Sequence, residues 1–322
     1  MERYVAHMRF ERLDLNLLVA LDALIEERSV SLAARRLFLS QPAVSGALNR
    51  LREYFGDDLL IPVGRQMVLT PKAEELRNPV RDALMLIRTR ITTPAEFDPR
   101  TAERHFTIVA SDWVYAVLLC PFFAEAARAA PGITFDVLNN GRRSQEMMER
   151  GEADVLISID GYLSKDHPQR PLFSAGHSVI AWSEGRYGAS LDEERFLAAG
   201  HVVVMFGADR HPAFTETHFA QRGIVRKIDL RVPSFSALPL AVVGTDRIAT
   251  MYRRHADYFA SYLPLTVQAP PIRLPEATEV VQWHRSRASD PGLKWLIEEL
   301  AGEAEQLTAV PAALPDRAVE LA

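Results

Sequence analysis

The 322-residue sequence has a single cysteine, Cys120, so it can form neither an internal disulfide nor a CxxC redox or zinc motif. One thiol is compatible with a reducing compartment. No apolar run reaches about 18 residues, which argues against a membrane-spanning helix. The opening MERYVAHMRFERLDL carries charges where a secretory signal needs its apolar core, so a cytoplasmic protein is expected. Catalytic signatures are missing too. No GxGxxG follows a predicted strand, and GxxxxGK[ST], GxSxG and HExxH do not occur. The nine histidines are scattered, with no metal-ligand spacing to one another or to Cys120. Glu26-Glu27 and Asp57-Asp58 read as solvated faces or helix ends. Cys120 falls in an apolar helical stretch, where an inert buried thiol is expected. No enzyme, metal site or bound cofactor is therefore predicted.

Apolar residues make up 48% and charged residues 25%, which is ordinary for a globular chain long enough for two or three domains. The net charge of −5 is uneven: residues 1–92 carry +2 and the remainder −7. Between residues 28 and 65, six arginines face three acids. That excess hints at a polyanion-binding face, and it fits a solvated helical surface equally well.

The hydrophobic spacing predicts helices at 13–27, about 31–38 and 41–55. In the third, Val44, Leu48, Leu51 and Phe55 form the apolar stripe. Ser40 is the expected N-cap, with Pro42 in the first turn. Small residues Ala33 and Ala34 permit the close helix crossing of a helix-turn-helix. In that motif the third helix enters the major groove, so Gln41, Ser45 and Asn49 are candidates for base edges. Arg50 and Arg52 are candidates for guanine or phosphate, and Arg35, Arg36 and Arg65 for phosphates. A three-helix bundle with a polar outside fits the same pattern.

Residues 59–70 read as a hairpin with Gly64-Arg65 at its tip. Thr70-Pro71 opens a helix to about Ile91, whose apolar positions Leu76, Val80, Ala83, Ile87 and Ile91 approach a coiled-coil seam. A second copy of the same helix is the expected partner. Residues 92–103 lack periodicity and read as a linker. Strand and helix patterns then alternate: strands at 105–111, 133–139, 153–159, 177–183, 201–206, 227–232, 247–252 and 280–284, with helices between them. Mostly parallel α/β sheets in two small lobes are expected. The tail after Glu305 reads as frayed. Ser111-Asp112 follow a predicted strand at a helix start, where Ser111 either meets an anion or simply caps. Trp113, Phe173 and Phe206 either stack on an aromatic ligand or belong to the core.

Residues 13–76 resemble the N-terminal module of LysR-type transcriptional regulators. The resemblance rests on Leu15-Asn16-Leu17-Leu18, Ser31 to Leu37, Leu39 to Ser45, Leu48 with Leu51, and Leu69-Thr70-Pro71. Residues 8–28 are most similar to the branch of nodulation-gene and aromatic-degradation regulators. Weaker similarity continues through Asp98-Pro99, Asp154, residues 245–250 and Asp290-Pro291-Gly292. The resemblance implies an α/β protein overall. An all-α winged helix-turn-helix (8–70) and a long dimerising linker helix (71–92) lead through a hinge (93–103) to a two-lobed effector domain (104–305) resembling type II periplasmic binding proteins. A disordered tail (306–322) would follow.

The implied function is sequence-specific DNA binding, switched by an effector held between the lobes. The implied partners are double-stranded promoter or operator DNA, a second copy of the chain in a homodimer or homotetramer, RNA polymerase and the small-molecule effector; no membrane is implied. The branch points to aromatic-acid, phenolic or flavonoid effectors. The crossovers between lobes are implied near Ser178–Ala181 and Ile248–Met251, which places Thr250 by the cleft. His211 and Arg254 match cleft positions of the aromatic-acid-sensing relatives. The sequence departs from the pattern at Tyr252, where proline is common, and at Ala175, where one relative has a histidine. The rival reading is a small-molecule sensor that does not read DNA sequence.

Overall fold

The computed structural model describes residues 13–64, 66–87, 97–207 and 210–309. The chain divides near residue 93 into two units. In the first, α1 (Asn16–Glu27), α2 (Val30–Arg36) and α3 (Gln41–Phe55) precede the strands β1 (Leu60–Val63) and β2 (Gln66–Leu69) and the helix α4 (Pro71–Leu86). Side-chain oxygens satisfy the first free N–H groups of three helices: Ser29 accepts from Leu32 at 3.3 Å, Ser40 from Ala43 at 3.4 Å, and Thr70 from Ala73 at 3.1 Å. Ala33 and Ala34 are buried, which lets α2 sit closely between α1 and α3. Val44, Leu48 and Leu51 point into the same core, leaving Gln41, Ser45 and Asn49 exposed. β1 and β2 pair antiparallel from Leu60↔Leu69 to Val63↔Gln66. Asp57 pins the hairpin base by accepting from the Leu59 N–H at 2.7 Å and the Thr70 hydroxyl at 2.6 Å.

The apolar stripe of α4 has a partner within the chain. Ala73, Leu76, Val80 and Leu84 pack into the core that α1 helps to build. Arg81, itself buried, pairs with Glu26 and with Asp22 of α1. Leu76 and Val80, expected to face a second copy, are therefore used in this core. Ala83 and Ile87 are half-buried, and Ile91 lies outside the described residues.

The second unit begins with β3 (Arg104–Ala110). The helix α5 (Asp112–Val114) continues through a π-helical turn (Tyr115–Leu119) into α6 (Cys120–Ala129). β4 (Ile133–Asn139), α7 (Ser144–Glu149), β5 (Val155–Ile159) and β6 (Gln169–Ala175) follow. Next come β7 (His177–Trp182), α8 (Glu193–Ala198), β8 (Gly200–Phe206), β9 (His211–Pro212), α9 (Phe214–Gln221) and β10 (Lys227–Val232). The remaining elements are α10 (Ala237–Val242), β11 (Arg247–Tyr252), α11 (Arg253–Ala260), β12 (Leu265–Gln268), β13 (Ala277–Gln282) and α12 (Pro291–Ala309). They form two sheets, ordered β4-β3-β5-β13-β6 and β10-β8-β11-β7-β12, with β9 attached to β8.

Both sheets are mixed. β3 runs parallel to β4 and β5, and β8 to β10 and β11. Apart from the short β8–β9 pair, the antiparallel pairs involve strands next to the lobe crossings: β13 with β5 and β6, and β7 with β11 and β12. The chain leaves the first lobe at Gly176, between β6 and β7, and returns through residues 269–276, between β12 and β13. This corrects the expected return at Ile248–Met251, because β11 lies inside the second sheet, hydrogen-bonded to β7 and β8. The expected outgoing crossing at Ser178–Ala181 is likewise β7 itself, just past Gly176. Two further expectations are corrected. Cys120 is exposed, and residues 306–309 continue α12.

A buried ionic cluster closes the base of the first lobe. Arg104 donates to both oxygens of Asp290 at 2.7 and 2.6 Å, and Arg287 reaches Asp154 at 2.5 Å and Asp290 at 3.1 Å. Asp290 also accepts the Gly292 and Leu293 N–H groups at the start of α12. Burial alone would raise this carboxyl. The hydrogen bonds and charge of Arg104, with the charge of Arg287, outweigh burial and hold it at about 2. Because the folded value lies below the ordinary 3.8, the stabilisation is complete above pH of about 4 and is lost as the pH falls through about 2. Asp290→Asn is expected to cost about 3 kcal/mol in urea unfolding at pH 7, and less as the pH falls.

A second expectation concerns the turn between α2 and α3. Phe38 adopts φ 54° and is 96% exposed, so its ring gains little from burial while its backbone sits in the left-handed region. Phe38→Gly should raise stability by up to about 1 kcal/mol, read as a higher urea midpoint.

Candidate functional site

Two sites emerge, one in each unit. In the first, α3 presents Gln41, Pro42, Ser45 and Asn49 on one exposed face, because Val44, Leu48 and Leu51 hold its other side in the core. Ser40 is spent on the cap. Arg35 and Arg36 are exposed on α2, with Arg36 3.4 Å from Glu27. Arg50 pairs with Asp14 at 2.9 Å, on the surface. Arg52 is held differently: its guanidinium donates to the Asp58 and Leu60 carbonyls at 2.8 and 2.9 Å, tying α3 to the start of the hairpin. Arg65 lies outside the described residues.

In the second unit a cavity of about 280 Å³ opens between the lobes. Its two walls differ in chemistry. The second lobe supplies rings, with Phe206, Phe235 and Tyr252 in an edge-packed series at 5.6 and 5.3 Å between centroids. The first lobe supplies most of the polar groups, among them Ser111, Asn140, Arg142, Gln145 and Glu279, beside Leu156, Ile159 and the Tyr162 ring. The Asn140 amide donates to the Ile157 carbonyl at 3.0 Å, and its oxygen has no partner among the described residues. Neither amide atom of Gln145 has one. Buried amides without partners are costly, so this wall is suited to a polar ligand.

Contacts made by two consecutive residues bridge the lobes beside the cavity. The Asp112 carboxylate accepts the Phe235 and Ser236 N–H groups at 3.1 and 2.7 Å. The fully buried Trp113 stacks on Tyr252 at 4.2 Å and 19°, meets Phe173 edge-on at 5.5 Å, and donates its indole N–H to Glu279 at 3.0 Å. Burial pushes the Glu279 carboxyl up to about 7, and the Trp113 hydrogen bond only partly offsets that rise.

Of the residues anticipated from the sequence, Ser111, Phe206 and His211 line this cavity. Ser111 also caps its helix, accepting from Val114 at 3.4 Å. Asp112 and Trp113 hold the lobes together, Phe173 is core, and Thr250 is buried in β11 away from the lining. Arg254 borders a separate recess of about 290 Å³ at the lobe crossings, with Gly176 and Pro270. The sequence reading missed Asn140, Gln145, Tyr252 and Glu279. Glu279 had a legible signal: it alternates with Ala277 and Val281, so a carboxylate occupies a core-facing strand position.

The bacterial regulatory helix-turn-helix family of lysR type matches residues 15–74, and the LysR substrate binding domain matches residues 99–305. The chain belongs to the LysR family. It is a LysR-type transcriptional regulator, with a helix-turn-helix DNA-binding module and an effector-binding domain, and its family is one of regulators rather than enzymes. Nodulation protein D 3 of Rhizobium leguminosarum bv. phaseoli is 41% identical over 93% of this chain and 100% of that relative. Nodulation protein D 2 of Rhizobium tropici is 42% identical over 92% and 95%. A probable transcriptional regulator from Pseudomonas aeruginosa matches in structure at TM-score 0.60 and 28% identity, covering 92% of this chain and 99% of that one. Full-length OxyR from the same species shares the fold at TM-score 0.67 and 19% identity, covering 91% and 95%. Among the described residues no helix is long and apolar enough to cross a membrane, and no cluster of three or more ligating side chains suits a metal ion.

The Asp112 bridge predicts a local effect. Asp112→Ala removes two charge-assisted hydrogen bonds between the lobes, each worth roughly 1.5–3 kcal/mol. The Phe235 and Ser236 amides should then exchange hydrogen at least about tenfold faster in this LysR regulator, while β8 amides stay protected.

Proposed function

We propose that a small aromatic effector, bound in the interlobe cavity, controls sequence-specific DNA binding by a homodimeric or homotetrameric assembly of this regulator in the cytoplasm. The observation that carries the reading is the two-sided cavity, with rings on one wall and unpartnered amides on the other. A planar ligand with polar edges meets both walls, in keeping with the usual make-up of small-molecule sites. Ser111, Phe206 and His211 contact this effector, joined by Asn140, Gln145 and Glu279. Asp112, Trp113, Phe173 and Thr250 act from behind it, and Arg254 from the crossings.

On α3, Gln41, Ser45 and Asn49 read base edges, while Arg35, Arg36, Arg50 and Arg65 meet phosphates. Ser40 and Pro42 set the start of α3, and Arg52 holds the hairpin against it. The copies pair through the side of the linker helix bearing Ala83, Ile87 and Ile91, and RNA polymerase is the partner at the promoter. The name of the relatives, nodulation protein D, favours genes of nodulation as those controlled.

Fluorescence anisotropy on DNA from upstream of its own gene, against a shuffled sequence and across a salt series, tests this reading. The upstream site should bind about 10³-fold or more tightly. Asn49→Ala should weaken that site by about tenfold or more and leave shuffled DNA unaffected. Arg36→Ala should weaken both alike and reduce the salt slope by about one. Equal losses on both DNAs for Asn49→Ala would exclude a base-reading role, and ligand binding without any sequence preference would favour a sensor that does not read DNA.

A further inference from the structure

Glu279 sits in the wall of the interlobe cavity, 3% exposed and without a countercharge. One oxygen accepts the Trp113 N–H at 3.0 Å. Among the described residues no hydrogen bond or ion pair reaches the other. Its register neighbours are Phe173 on β6 and Ile159 on β5. The titratable groups packed around it are the Tyr252 hydroxyl of β11 and, from the 3-10 turn Asp160–Tyr162, the Tyr162 hydroxyl and Asp160, whose carboxylate is occupied by Gln169. None of these is a cation. The cavity lining also includes His211, on β9 of the second lobe, and Arg142, just beyond β4 in the first. In sheet order β3 and β5 lie between β4 and β13, which puts those two strands about 14 Å apart at roughly 4.8 Å per strand. The Arg142 main chain thus lies towards the far side of the same wall, and among the described residues no ion pair joins Arg142 to Glu279.

We propose that Glu279 sets the ligand specificity of the cleft, taking a hydroxyl of an uncharged aromatic ligand as its hydrogen-bond partner and rejecting ligands that bring a carboxylate to that point. The inference rests on the reading of the cavity as the effector site. A hydroxyl donor satisfies the open oxygen. A second carboxylate placed beside it in a poorly solvated wall is repelled, because two like charges sharing a buried site cannot both ionise. Such a ligand enters only if the pair takes up a proton. Burial already pushes the Glu279 carboxyl up to about 7, so that uptake falls within an accessible pH range. The consequence is a linkage: a carboxylate ligand binds together with a proton and weakens about tenfold between pH 6 and pH 8, whereas a neutral phenol does not.

Two matched probes, 2-naphthol and 2-naphthoate, test this on the full-length chain by titration calorimetry. In the wild type, 2-naphthol should bind at least about tenfold tighter at pH 8, and 2-naphthoate should weaken about tenfold from pH 6 to pH 8. Glu279→Gln, matched in shape, should bring the probes within about threefold and flatten the pH dependence. Trp113→Phe removes the N–H that favours the ionised carboxyl, so the fall in 2-naphthoate affinity should move to higher pH. A merely structural Glu279 would give no such displacement. Thermal melts confirm that each variant is folded. Gln145→Trp, which fills the cavity, should abolish binding of both probes. Unchanged probe preference and pH dependence in folded Glu279→Gln, with binding lost in Gln145→Trp, overturns the role of Glu279 alone. Binding that survives Gln145→Trp, or no saturable binding of either probe to the wild type, overturns the cavity reading and this inference with it.

Discussion

The second unit depends on one indole. Trp113 stands at the start of the helix that follows β3, in the first lobe, yet its face lies against Tyr252 of the second. Its edge meets Phe173, which fixes the ring, and its N–H has a single acceptor, Glu279. A fully buried tryptophan needs such an acceptor, and here the acceptor is a carboxyl that itself lines the cavity. Packing between lobes, polarity of the cavity wall and ionisation of Glu279 are therefore linked through one side chain. Asp112, one residue earlier, adds hydrogen bonds to the opposite lobe. Consecutive residues thus set the distance between the two walls that a ligand must touch.

The first unit separates an exposed polar face from the groups that hold it in place. α3 buries one face and exposes Gln41, Ser45 and Asn49 on another, while Arg52 is turned back onto the Asp58 and Leu60 carbonyls. The hairpin is thus anchored to α3 by a charged donor on main-chain acceptors and by Asp57 at its base. α4 leaves this core along α1, with Arg81 paired to Glu26 and Asp22. Burying those charges together resists separation of the two helices, because removing one partner leaves the other uncompensated.

Much of this was legible in the residues. The helix-turn-helix follows from apolar steps of three and four, polar caps and the Ala33-Ala34 pair. Strands β3, β4, β8, β10 and β11 announce themselves as β-branched runs. The elements that escaped share physical reasons. β6 and β12 lie at sheet edges, β6 contains Pro171, and edge strands need neither strong propensity nor a full ladder of donors. α11 begins at Arg253, directly after β11, so no turn signal separates it from the strand. The return crossing at 248–251 was implied by the family resemblance alone, and the local pattern there, that of a strand, says nothing about which sheet it joins. At the site, aromatic residues proposed as ligand contacts divided between wall and core, which composition alone does not distinguish. The polar wall escaped because Asn140 follows directly on β4 and Gln145 sits in the first turn of α7, where a polar side chain reads as a solvated position. The spacing of Leu76 and Val80 suggests an outward seam because a helix pattern shows that a stripe needs cover, but not which surface covers it.

The central claim is that one ligand touches both lobes across the wall that Trp113 and Glu279 define. Hydrogen–deuterium exchange of the full-length chain, with and without saturating 2-naphthol, tests it most directly. The account predicts slower exchange on both sides of the cavity together, in residues 140–145 of the first lobe and 234–236 of the second, with the helices of the first unit unchanged in the absence of DNA. Protection confined to one lobe, or appearing only at the recess beside Arg254, would contradict it.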